Sequence, residues 1–219
     1  MIACQITKSV LGSINTFPSV TVIAPIQSGK TTLVKSLFPD YKYINLENFD
    51  QRLIAEEYPR SIFSSHQRII IDEEQTVPKI FSYIQNYLDS GLYKMVIIGS
   101  NQFNLNAQIA QSLAGRNAIY KLLPFSIKEL KSNSVHLTID EWMIKGFYPA
   151  IHNKNQNPHI AYRSYFETYI QKEVRQILNV KNISLFEKFV IILVGRIGNI
   201  INFSTLSNEV GASVHTLQS

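Results

Sequence analysis

Five short β-rich runs alternating with helical stretches constrain this chain more than any other feature. The runs are Val20 to Ala24, Lys42 to Leu46, Ile69 to Asp72, Met95 to Gly99 and Ala118 to Leu122. Between them lie stretches of helical character at Thr31 to Leu37, Phe49 to Glu57, Pro78 to Ser90 and Gln102 to Leu113, with Pro39 and Gly91 where the first and third should stop. Strands of this kind, joined by helices, predict an α/β fold: a parallel sheet flanked by helices on both faces. With 219 residues, 45% of them hydrophobic and 17% charged, the chain has enough apolar material for a core.

After Leu122 the β character fades. Ser126 and Glu129 form a capping-box pattern that opens a further helix. The stretch from Gly146 to Pro158 reads as a loop or domain boundary, and an all-helical region follows it. There Tyr162, Tyr165, Phe166, Tyr169, Ile170, Val174, Ile177 and Leu178 recur at helical spacing, which reads as a packed core stripe. The expected division is a sheet domain over 1–132 and a helical region over 133–219.

The first strand runs into Ala24-Pro25-Ile26-Gln27-Ser28-Gly29-Lys30-Thr31-Thr32 and then into a helix. Strand, loop and helix in that order are what a phosphate-binding loop requires. Backbone N–H groups from Gln27, Ser28, Gly29, Lys30, Thr31 and Thr32 would cradle phosphate oxygens at the positive end of the helix. Lys30 would add charge at the β and γ phosphates, and the Thr31 hydroxyl would ligate magnesium. On its own Gly29-Lys30-Thr31 is a weak signal, and the flanking elements supply its weight. Ala24 stands where such loops usually open with glycine, which is acceptable if its φ stays negative.

Arg68 to Glu73 is an apolar strand ending in two carboxylates. The C-terminal ends of parallel strands are where open α/β sheets bind ligands. Asp72 is therefore expected in the magnesium shell, and Glu73 beside the attacking water. Alone, the dipeptide would read as a solvated strand end; with the phosphate loop it forms a joint motif. Ser100 and Asn101, after the fourth strand, are both candidates to contact the γ phosphate or the water, and a plain turn is the alternative. Arg116 is a candidate to reach a phosphate in its own chain or a neighbour's, with a surface ion pair as the alternative.

Ser28-Gly29-Lys30-Thr31-Thr32-Leu33, Phe38-Pro39-Asp40-Tyr41, Ile70-Ile71-Asp72-Glu73, Gly99-Ser100, Ser112-Leu113-Ala114-Gly115-Arg116 and Leu123-Pro124-Phe125-Ser126 resemble, in order and spacing, the AAA-type (AAA+ superfamily) P-loop ATPases of bacteria and archaea that carry a C-terminal domain of unknown function. Phe166 to Tyr169, Glu173 to Leu178 and Gly211 to Val214 resemble the segment by which those proteins lead into a winged helix. The resemblance covers nearly the whole chain. It implies a P-loop NTPase-like sheet with an additional strand and a catalytic glutamate, binding and hydrolysing ATP with Mg2+. It places Ser100 or Asn101 near a sensor position and gives Arg116 no definite role. Besides Ala24, Glu74 departs from the family, standing where an apolar residue usually follows the acidic pair.

Ser204, as a helix cap, Leu206, Val210, Gly211 and Ser213 outline a helix-turn-helix whose second helix is cut short, so the expectation is a truncated winged helix that does not bind DNA specifically. Exposed apolar surface near Val210, Val214 and Leu217 would favour self-association or poor solubility, and the expected partners are ATP and a second copy of the chain or a partner protein. Three functions compete on these grounds: an ATPase, a nucleotide-binding interaction module without turnover, and a nucleic-acid regulator. The net charge of +5 is scattered and by itself indicates no nucleic acid. The one cysteine, Cys4, excludes an intrachain disulfide. No signal peptide is read at Met1 to Val10, and the apolar run Phe189 to Val194 is far shorter than the roughly 20 residues of a membrane span. The expected location is cytoplasmic.

Overall fold

The computed structural model describes residues 2–100, 112–169 and 182–218. They divide into two compact units, 1–158 and 159–219. The first is built on five parallel strands, β1 (Ser19–Ile23), β2 (Lys42–Asn45), β3 (Arg68–Asp72), β4 (Lys94–Gly99) and β5 (Asn117–Lys121), in the spatial order β2-β3-β4-β1-β5. The α/β fold and all five runs read from the sequence are borne out. The additional strand is β4, which separates β1 from β3.

Both faces of the sheet are covered because its strands alternate between two cores. Ile69, Ile71, Met95 and Ile97 pack with Ala55, Phe63, Ile80, Phe81 and Ile84. These come from α3 (Phe49–Glu57), α4 (Pro59–Ser64) and α5 (Ile80–Asp89). Ile70, Val96, Ile98, Val20 and Val22 pack with Val10, Ile14, Leu33 and Val34. The latter lie on α1 (Thr7–Thr16) and α2 (Lys30–Leu37). α1 and α4 are absent from the sequence reading. The helix expected at Gln102 to Leu113 lies mostly outside the described residues.

The first unit extends past the sheet. The Ser126 capping box forms as expected, with Glu129 reaching back to the Ser126 amide, and opens α6 (Ile127–Ser132). A second box, Thr138 with Glu141, opens α7 (Ile139–Lys145), which Gly146 ends at φ +57°. Within the expected loop at Gly146 to Pro158 lies a short helix, α8 (Pro149–Asn153), started by a proline at its first turn. Trp142 stacks on Phe147 and packs with Phe125 and Leu130, with Ile2, Cys4, Val135 and Leu137 around them. These contacts hold residues 133–158 in the same packing unit as the sheet.

The second unit contains most of α9 (Pro158–Tyr169), then α10 (Ile183–Val194), α11 (Phe203–Val210) and α12 (Val214–Gln218). Tyr165 stacks on Tyr169; Ile170, Val174, Ile177 and Leu178 of the expected stripe fall outside the described residues. The cap of α11 is Asn202, not Ser204, since the Asn202 side chain accepts from the Thr205 amide. Leu206 and Val210 are buried, Gly211 turns the chain at φ +84°, and Ser213 caps α12 through the Thr216 amide, as the helix-turn-helix reading expects. Among the described residues no helix is long and apolar enough to cross a membrane.

Candidate nucleotide site

Register explains why residues distant in sequence meet. Ile23 pairs with Gly99, and Ile98 pairs with Asp72, so β1, β4 and β3 end almost level. The ladder runs on just past these ends: the Ala24 amide donates to Gly99 O, and the Glu73 amide to Ile98 O. The loop after β1, the two acids at the end of β3 and Ser100 after β4 therefore share the C-terminal edge of the sheet. β1 and β3 are two strand spacings apart, about 10 Å. The gap is closed from both sides, by the Lys30 side chain and by the Glu73 side chain reaching toward it.

The loop is shaped by two left-handed residues, Gln27 at φ +62° and Gly29 at φ +88°. Gly29 immediately precedes α2, whose first residues are Lys30 and Thr31. Ala24 is buried in the apolar cluster and is not among the residues of positive φ, which meets the condition under which alanine replaces the loop's first glycine. Its methyl group serves the core. Pro149 covers the loop from outside, its Cγ lying 3.5 Å from where a side chain on Gly29 would begin. α8 is thereby packed on the phosphate loop.

Lys30 Nζ lies 3.2 Å from Glu73 Oε1, with the two side chains only 11% and 8% exposed. Glu73 Oε2 accepts from Gln75 Nε2 and lies 3.5 Å from Ser100 Oγ. Glu73 itself holds a left-handed backbone, φ +58° and ψ +44°, and begins the short 3-10 turn Glu74–Thr76. For a residue with a Cβ this conformation costs roughly 1–2 kcal/mol. Such strain concentrates at functional sites.

Asp72 is buried at the end of β3. Its Oδ2 accepts from Thr31 Oγ1 at 2.9 Å and from Tyr43 OH at 2.6 Å. Its Oδ1 is buried with no hydrogen-bond partner among the described residues, as is Ser28 Oγ. Burial raises the Asp72 carboxyl above the usual carboxylate range, while the Tyr43 and Thr31 hydrogen bonds oppose that rise. Burial and the bond to Asp72 in turn lift the Tyr43 phenol well above its ordinary range.

Glu74 is fully buried, and neither carboxyl oxygen has a hydrogen-bond partner among the described residues. Burial pushes its carboxyl up to about 8, with Glu73 and Asp72 adding repulsion. At neutral pH it is mostly protonated and occupies a core position as a neutral group. That is how an acid fits where an apolar residue is expected.

Lys30, Thr31, Asp72, Glu73 and Ser100 are thus brought together, with Gln27, Ser28 and Gly29 in the loop beside them and Thr32 in the first turn of α2. Asn101 lies outside the described residues. Arg116 sits elsewhere. It immediately precedes β5, and its carbonyl accepts from Ser19 at the start of β1, which puts it at the opposite end of the strands from the loop. A five-residue strand is about 16 Å long. There the Arg116 guanidinium pairs with Asp89 and donates to Ala114 O, so the ion-pair alternative describes its place within this chain. Tyr43 and Gln75, which hold the two acids, were not singled out from the sequence. The only signal for Tyr43 was its alternation on an edge strand, and for Gln75 its closeness to Glu73.

Two features bear on whether magnesium suits these residues: an orphaned buried oxygen on Asp72, and a hydroxyl already hydrogen-bonded to that carboxylate. Both suit a hard cation that takes one or two protein oxygens and completes its shell with substrate phosphates and water. Among the described residues no group of three or more His, Cys, Asp or Glu forms a self-sufficient metal cage. Magnesium bound through phosphates requires none.

A parallel sheet with β4 between β1 and β3, a left-handed glycine before a Lys-Thr helix start, and an acidic pair at the end of β3 define a P-loop nucleoside triphosphatase fold. More narrowly, residues 16–131 match the family described as AAA domain, and the chain belongs to it; residues 136–219 match a domain of unknown function, DUF8612. The chain is 25% identical over 201 residues to an uncharacterized protein of Haemophilus influenzae, covering 80% of this chain and 49% of that protein. It is 25% identical over 167 residues to an uncharacterized protein of Mycobacterium tuberculosis, covering 73% and 37%. It therefore spans half or less of the length of these relatives. The Walker-type ATPase of Pyrococcus abyssi has a similar fold, with a TM-score of 0.59 at 12% identity over 96% of this chain and 89% of that one.

Proposed function

We propose that this chain binds ATP with magnesium and hydrolyses it at the edge formed by β1, β3 and β4. The observation that carries the reading is how Glu73 is held: Lys30 lies at Oε1, while Gln75 and Ser100 lie at Oε2. A bound triphosphate offers Lys30 a more strongly charged partner. Lys30 would then turn to the β and γ phosphates, leaving Oε1 free and Oε2 still anchored.

Glu73 Oε1 would accept a proton from a water whose oxygen attacks the γ phosphorus, while the bond to the β–γ bridging oxygen breaks and ADP leaves. The loop amides from Gln27 to Thr32 would hold the phosphates in line. Thr31 and Asp72 would hold the magnesium ion, which when bound neutralises charge on the phosphate oxygens. Ser100 would keep the Glu73 carboxylate from rotating away. Burial strengthens each of these charge interactions relative to water.

Phosphate release by wild type, Lys30→Ala and Glu73→Gln tests the reading. Turnover in wild type, with background rates in both variants, is the expected result. ATP binding with the same background rate in all three would leave a nucleotide-binding interaction module in its place.

A further inference from the structure

We infer that Tyr43 is a positioning residue for the magnesium site: it clamps Asp72 so that the carboxylate meets the metal in one orientation, and it does so from an edge strand tied to the phosphate-loop helix. The inference rests on the reading of the site as a Mg-ATP site and deepens it.

Two contacts hold this tyrosine, and a third meets it at Asp72. Its hydroxyl donates to Asp72 Oδ2 at 2.6 Å. Thr31 Oγ1 donates to the same oxygen at 2.9 Å. Lys35 Nζ lies 3.4 Å from the centroid of the Tyr43 ring. Thr31 and Lys35 are four residues apart on α2 and so share one face of that helix. The ring is therefore gripped by the same helix whose first turn carries Lys30 and Thr31.

The arrangement assigns the two carboxylate oxygens different tasks. Oδ2 is saturated by two hydroxyl donors, and Oδ1 is buried with no hydrogen-bond partner among the described residues. With both hydroxyls in place the carboxylate cannot rotate without breaking two hydrogen bonds at once. Removing the Tyr43 hydroxyl leaves only Thr31, a residue that must itself face the metal. Groups that orient a metal-binding carboxylate in this way typically alter metal affinity by 10–100-fold when lost. The Tyr43 hydroxyl donates to Asp72, on the metal side of the site, so its loss should weaken the metal and spare the phosphates.

The test measures equilibrium binding of a fluorescent ATP analogue to the full chain, first in EDTA and then as Mg2+ is added. Tyr43→Phe keeps the ring under Lys35 and removes only the hydroxyl. It should bind the metal-free nucleotide as wild type does, melt near the wild-type temperature, and need about tenfold more Mg2+ to reach half of the metal-dependent gain. Tyr41→Phe, a control whose ring packs on Phe38, should leave the Mg2+ midpoint where it was.

An unchanged midpoint in Tyr43→Phe would overturn the inference while leaving the nucleotide site standing. An equal loss of metal-free affinity would also overturn it, since the tyrosine would then be supporting the whole site. A wild-type chain that gains nothing from Mg2+ would remove the Mg-ATP reading and this inference together.

Discussion

The two ends of one sheet carry ion pairs of opposite character. At the C-terminal end Lys30 and Glu73 are paired at 11% and 8% exposure, beside Asp72 and the fully buried Glu74. At the N-terminal end Arg116 pairs with Asp89 at 35% and 46% exposure, and Arg68 with Asp40 at 62% and 67%. Exposed pairs are nearly neutral to stability, because water solvates the charges well in either state. Buried charges are costly, and a pair repays the cost only with good geometry and further hydrogen bonds. A sheet of Val and Ile needs no carboxylates at its end. Asp72, Glu73 and Lys30 gathered there, with a buried Asp72 oxygen unpaired, are what the proposed Mg-ATP site would account for.

Four measurements probe the contrast between the two ends of the sheet. The largest effect belongs to Glu73→Gln, which keeps the shape of the side chain but cannot accept the proton. Turnover should fall at least about a hundredfold with ATP affinity near wild type, read from phosphate release beside equilibrium binding. Lys30→Ala should cost about 3 kcal/mol in denaturant unfolding, because it strands Glu73 without its partner, and ATP binding should be lost as well. A cost like that of an exposed pair would remove the contrast between the two ends.

Glu74 adds a pH dependence. Its folded carboxyl is raised from 4.5 to about 8, so between those values the native state holds a proton that the unfolded chain has released. The part of the stability that Glu74 governs should be greatest below pH 4.5, decline as pH rises toward 8, and level off above it. Glu74→Gln should flatten that decline in melts across pH 5 to 8; an unchanged slope would show that Glu74 is not its source. The smallest effect is expected for Arg116→Ala: less than about 1 kcal/mol on unfolding and no change in ATP affinity of the single chain. Weaker ATP binding in that variant would mean the distant end of the sheet is coupled to the loop.

Much of this was legible in the sequence because strand periodicity, the loop and the acidic pair are local signals. Val20 to Ala24 running into Gly29-Lys30-Thr31 announces strand, turn and helix within a dozen residues, and Ile69 to Glu73 shows where an apolar strand meets polar surroundings. α1 was missed because only Val10 and Ile14 are buried among its ten residues, too weak a stripe to mark a helix. Tyr43 was missed because its meaning depends on β2 pairing with β3, where Asn45 sits opposite Asp72. Reach from Arg116 to a phosphate of its own chain is disfavoured by its position. The residue precedes a parallel strand, and such strands begin at the end of the sheet remote from the phosphate loop. Glu74 was legible as a departure from its family, while its burial depended on tertiary packing.

The left-handed backbone at Glu73 shapes how this protein can drift over generations. A glycine there would relieve the backbone, and loss of Lys30 alongside it would avoid leaving a buried charge unpaired, so selection for stability alone would favour the two changes together. The glycine would also remove the carboxylate that faces Lys30. Keeping an acid at position 73 therefore requires continued selection for what that acid does. Lineages released from that demand should lose it early, and a glycine or asparagine at this position would be the mark they leave.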